Sequence, residues 1–170
     1  MNSVPAVVLV AAVLASPSSV SQSSPDFSGT WTIDRERSES PHQGEAFTPP
    51  TYVITQTGSD LTIETLRGSA RSVARYAIGP ATAPQQPLTA QSEARPAGRA
   101  YWAGTSLVTE GQSTIQGQTV SVRETRSLDA TGTTMTLQTL LVVQHGYTLK
   151  GAQNYGAATD VYRKVAPQRH

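Results

Sequence analysis

Phe27-Ser28-Gly29-Thr30-Trp31-Thr32-Ile33-Asp34 is the first strand-like run of the chain, and it follows an apolar leader and a polar spacer. A glycine two residues ahead of a tryptophan near the start of a strand sets a large indole where a β-barrel has to be plugged. The missing glycine side chain lets another stretch of backbone come close. Everything downstream reads as further strands able to close against this one.

The clearest of these is a hairpin: Tyr52-Val53-Ile54-Thr55-Gln56-Thr57, a reversal at Gly58-Ser59-Asp60, and Leu61-Thr62-Ile63-Glu64-Thr65. Both arms are rich in β-branched residues, alternate with period two and meet at a glycine. Arg71 to Ile78 reads as another strand, with Val73 and Ala77 on one face and Ala74, Tyr76 and Ile78 on the other. Residues 79 to 98 carry Pro80, Pro84, Pro87 and Pro96 with little apolar periodicity, so Leu88 to Ala94 is either an edge strand or part of a flap. A short aromatic strand follows, ending at Tyr101-Trp102-Ala103-Gly104, and then strands at 106–114, 118–128, 133–143 and 158–165. Between Ile33 and the hairpin, Arg35 to Pro41 is charged and aperiodic and reads as a loop, and three prolines break any helix across 41–50. Sequential strands, glycine-bearing turns and no amphipathic helix predict an all-β, antiparallel up-and-down meander of about eight to nine strands, closed into a barrel that leaves no free sheet edge.

Residues 4 to 15 form an uncharged apolar run too short to span a bilayer as a helix, which takes roughly 20 residues. This stretch reads as the core of a signal peptide, although no Lys or Arg precedes it, and a Ser-rich spacer follows. The expected organisation is a leader and spacer over 1–22, cleaved between Ala15 and Ser24, and a single domain over 26–166. About 148 residues then remain, enough for one domain with its own core. The sequence has no cysteine, so neither a lipidated cysteine nor a disulfide is available, and stability must come from burial and hydrogen bonding. A formal charge of +1 and the lack of any Lys/Arg run argue against a nucleic-acid partner or an anionic-membrane surface. The expected product is a secreted or periplasmic monomer with no membrane span after processing.

In residues and position the opening strand resembles that of lipocalin-like (calycin) barrels. It is more closely similar to the exported bacterial proteins whose mature chain begins Phe-Ser-Gly-Thr-Trp followed by an acid or amide. Trp102-Ala103-Gly104-Thr105-Ser106-Leu107 resembles a Trp-x-Gly-x-x-Leu step of the same family. The resemblance implies a barrel and an exported compartment and names no substrate. It further implies that Gly29 and Trp31 close one barrel end and that an arginine of the last strand, Arg163, lies over the indole as a cation–π partner. The chain departs from true lipocalins in lacking their second and third signature regions and the disulfides many of them carry.

The sequence offers no recognisable catalytic or metal motif. His42, His145 and His170 fall in three separate regions, none at ligand spacing from another, and there is neither a Gly-x-Ser-x-Gly step nor a phosphate-binding glycine loop. No cofactor is implied. The informative stretch is 118–128, where strand alternation places Val120, Val122, Glu124, Arg126 and Leu128 on one face. If that face is the barrel interior, both charges must be paired or bonded to a ligand, as in a pocket floor. A bulge that turns them to water, or a purely structural ion pair, would give the same sequence pattern. On 133–143, Met135, Leu137, Leu141 and Val143 form one apolar face, while Leu140 and Val142 on the other predict a strand covered on both sides.

Two function classes fit. One is an exported binding or interaction protein holding a small apolar or amphipathic ligand, with Glu124, Arg126, Tyr76 and Tyr101 as candidate contacts. The other is an enzyme on a calycin-like scaffold with Glu124 as general acid or base assisted by Tyr76 or Tyr101. A ligand-free structural barrel is the plainest alternative.

Overall fold

Period-two alternation of inward apolar and outward polar side chains carries most of the described residues into one sheet that curls and closes. The computed structural model describes residues 24–42, 48–82, 98–115, 118–143 and 155–166. Nine strands follow in order: β1 (Gly29–Ile33), β2 (Thr51–Gln56), β3 (Asp60–Arg67), β4 (Ala70–Gly79), β5 (Gly98–Ala103), β6 (Ser106–Ile115), β7 (Gln118–Leu128), β8 (Thr134–Val143) and β9 (Tyr155–Lys164). Each pairs with the next and β9 returns to β1, giving a closed barrel. Among the described residues no helix is long and apolar enough to cross a membrane. The expected leader over 1–22, the Leu88 to Ala94 segment, the Gln116-Gly117 turn, His145 and His170 lie outside the described residues.

One joint differs from the expected all-antiparallel meander. β4 and β5 run parallel, with Ile78 opposite Ala100 and Gly79 opposite Tyr101. Parallel neighbours need a connection of a dozen or more residues to bring the chain back, and the proline-bearing 80–97 stretch supplies that length. After β1 the chain makes two 3-10 turns, Arg35–Arg37 and Ser40–His42, where a loop was expected. Between them it stays beside β9: Val161 N donates to Ser38 Oγ at 2.8 Å, and Glu39 N donates to Thr159 O at 3.0 Å. The short β1 is thus extended along the seam by the residues that follow it.

The two halves of the interior differ. Around β1, Phe27, Trp31, Leu61, Leu107 and Met135 have no exposed surface and pack with Ile54, while half-buried Ile78, Trp102 and Leu128 lean on the same cluster. Trp31 is buried in this cluster, its Nε1 donating to Phe27 O at 2.8 Å. The cation over its ring is Lys164, with Nζ 5.4 Å from the centroid. Arg163 is not that cation: it points outward and grips Asp34 Oδ2 through Nε at 2.9 Å and Nη2 at 2.7 Å. β9 alternates so that Asp160, Tyr162 and Lys164 face inward, which leaves Val161 and Arg163 outside.

Gly29 sits at φ +136°, a conformation that residues with side chains rarely adopt. The close neighbour there is the Lys164 side chain, whose Cε lies 2.6 Å from where a glycine-replacing Cβ would stand. An approach of main chain to main chain was expected instead. On β8, Leu140 and Val142 are 39% and 40% exposed, so the outer face of that strand is not covered as expected.

Candidate functional site

The other half of the barrel is not filled by the side chains of the described residues. A cavity of about 590 Å³ is lined by Tyr52, Glu124, Leu137, Leu141, Asp160 and Tyr162 among others. A neighbouring one of about 330 Å³ reaches Tyr76, Thr109, Glu124 and Arg126. Both touch Tyr52, Arg67, Val122 and Glu124, so they adjoin at the Glu124 side chain.

Register explains how charges come to sit there. On β7, Arg126 lies between Leu107 of β6 and Leu137 of β8, an apolar layer continuous with the packed end. One step up the barrel, Glu124 lies between Thr109 and Thr139, a polar layer. Arg126 is held in the leucine layer with no exposed surface and reaches up to the polar one. Its Nη2 donates to Glu124 Oε2, and its Nη1 donates to Thr109 Oγ1 at 2.8 Å. Thr109 Oγ1 in turn donates to Glu124 Oε2 at 3.3 Å. Burial works against the Arg126 charge, and Glu124 together with Tyr52 and Tyr76 outweighs it, leaving the guanidinium pKa raised. No bulge turns the pair to solvent: register is continuous from Leu128 to Val120.

Tyrosines and a second acid complete the wall. The rings of Tyr52 and Tyr162 pack with centroids 5.1 Å apart. Burial, aided by the nearby Glu124 charge, pushes the Tyr52 phenol up to about 12. Burial, Tyr52 and Asp160 push Tyr162 upward as well, and burial with Glu124 raises Tyr76. All three phenols are therefore held as neutral hydroxyls at any ordinary pH. Asp160 is 6% exposed and accepts from Ser40 N at 2.9 Å and from Ser40 Oγ at 2.6 Å.

Of the residues expected at a ligand site, Glu124, Arg126 and Tyr76 come together in the barrel. Tyr101 does not join them. Ala100 and Trp102 take the inward positions of β5, so Tyr101 faces out, donates to Glu110 Oε1 at 2.9 Å and lies under Arg99, 5.3 Å from its ring. Glu110 also binds Arg99 Nη2 at 2.6 Å, with Arg123 Nε 3.4 Å away, an ion network at the edge of the smaller cavity. Sequence reading missed Tyr52, Tyr162, Asp160 and Thr109. The first three lie far from Glu124 in sequence and meet it only through cross-strand register and barrel closure. Thr109 carried one usable signal, standing opposite Glu124 in a predicted hairpin. Among the described residues no cluster of His, Cys, Asp and Glu fits a metal ion.

No family model matches the sequence, and no curated protein matches it. Among solved structures, a protein described as "REP1-NXSQ fatty acid transporter" superposes with a TM-score of 0.51 at 14% identity. The match covers 84% of this chain and 98% of that one. At that identity the likeness is one of fold, and it places this chain among closed β-barrels of the transporter's architecture.

Proposed function

We propose that this chain is an exported, lipocalin-like binding protein that holds a small amphipathic ligand in the open half of its barrel. The observation that carries the reading is the contrast between the two ends: packed aromatics and leucines at one, and at the other a cavity of about 590 Å³ walled in part by Glu124, whose partner Arg126 reaches the adjoining smaller cavity. A volume of that size lies within the usual range for small-molecule sites, and a few polar groups on a mostly apolar wall are what orient an amphipath. Val122, Leu137 and Leu141 supply the apolar wall. The barrel fold shared with a fatty acid transporter supports the same reading.

Native mass spectrometry of protein purified from its own host tests this, together with displacement of a hydrophobic fluorophore from the recombinant chain. Bound small molecules, or saturable displacement lost on filling the cavity with Thr139→Phe, are expected. An empty barrel that takes up no probe would overturn the proposal. Export is tested separately by intact mass. A mature N-terminus between Ser16 and Pro25 is expected from the short apolar leader, and retention of Met1 would rule export by this route out.

A further inference from the structure

The two members of the interior ion pair are not equally reachable from the cavity. The Arg126 side chain has no exposed surface, while that of Glu124 keeps 24%. The Arg126 Nε is sealed below the floor with no partner among the described residues. Both bonds to Glu124 end on Oε2, and among the described residues none reaches Oε1. An incoming group therefore meets a carboxylate oxygen first and finds the guanidinium already committed. Asp160 adds a second acid to the wall of the larger cavity, and Tyr52 contributes a phenol that stays neutral. Arg67 lines both cavities but is itself exposed, so it stands on the solvent side of the floor.

Resting on the reading of this cavity as a ligand site, we propose that it selects an amphipath whose head group donates hydrogen bonds, an alcohol or an amine, and rejects a fatty carboxylate. A hydroxyl or ammonium donates to Glu124 Oε1 and leaves the pair below it intact. A carboxylate arriving at the same place faces a like charge, and like charges brought together in a desolvated site repel strongly. Displacing Glu124 from Arg126 does not help it, because Glu124 is then left without its counter-ion. An acid drawn to Arg67 at the rim leaves the Glu124 oxygen unpaired and gains nothing from the floor.

The test is competition of lauryl alcohol, laurylamine and laurate against a hydrophobic fluorophore on the full chain near neutral pH. The alcohol or the amine is expected to bind at least about tenfold more tightly than laurate. Glu124→Gln, which removes the negative charge but keeps the shape, is expected to narrow that gap, because the incoming carboxylate then meets no like charge. Laurate binding as tightly as the other two overturns the head-group inference and leaves the cavity reading standing. Failure of all three to bind overturns the cavity reading and this inference with it. A gap unchanged by Glu124→Gln removes Glu124 as its cause, and if that variant does not fold, the wild-type series decides alone.

Discussion

Trp31 shows how much a single side chain can hold at the narrow end of a barrel. It has no exposed surface, its indole N–H is satisfied by Phe27 O, and Lys164 covers its ring. Trp31→Ala is expected to cost about 3–5 kcal/mol, as for other buried aromatics. The same change at half-buried Trp102 should cost clearly less, and chemical denaturation of the two variants compares them. The Gly29-x-Trp31 step marked a residue that is buried, whereas the cation over its ring was not legible. The resemblance put Arg163 over the indole, whereas Lys164 takes that place and Arg163 is held by Asp34. Outside the barrel, beside Arg163, Val161 is buried and its carbonyl accepts from Asp34 N and Ser38 Oγ. Tyr52 offers a second test at this scale. Its phenol is raised by burial to about 12, so the stability gained by keeping it neutral is complete below about pH 10 and fades as pH climbs through 12. Tyr52→Phe should remove part of the alkaline loss of stability over that window, measured by denaturation at a series of pH values. An unchanged profile would mean that the phenol is not desolvated.

Strands were the most legible level, because β2, β3, β6, β7 and β8 each carry a period-two pattern ended by a turn. The direction of β5 was not legible: it depends on where the 80–97 connection re-enters the sheet, and local pattern carries no such information. Gly98, at the start of β5, was also passed over. A Cβ there would lie 2.5 Å from the Glu110 carbonyl oxygen and 2.9 Å from Tyr76 Cε1. Backbone on one side and a cavity-lining ring on the other leave no flexible atom to give way first. Gly98→Ala is expected to cost about 1–3 kcal/mol by overpacking and to shift the Tyr76 ring, seen as a change in its aromatic NMR resonances. Gly29→Ala meets only the flexible Lys164 side chain, so its cost comes from φ +136° and the Tyr76 signals should not move.

At the scale of the whole barrel, one end is packed for stability and the other holds the cavities among the described residues, and the Glu124–Arg126 pair stands at the boundary. Alternation along β7 was enough to find the pair. That it faces inward became certain only once nine strands had closed around it. Its energetics should be asymmetric, because Arg126 has no exposed side-chain surface while Glu124 retains some. Glu124→Leu strands a fully buried guanidinium and is expected to cost about 3–5 kcal/mol. Arg126→Met leaves a carboxylate that cavity water can still solvate, so its loss should be smaller. Replacing both together strands neither charge and should return stability to within about 1 kcal/mol of wild type. An exposed pair would give losses of only about 0–1 kcal/mol for each single change, so two neutral single variants would remove the pair from the interior. The double variant should keep the fold yet lose the ligand response. A ligand at a hundred times its dissociation constant stabilises the wild type by about 2.7 kcal/mol, and that increment should vanish when the head-group oxygen of Glu124 is gone. A double variant that is still stabilised by the same ligand would show that the apolar wall of Val122, Leu137 and Leu141 binds it without the floor.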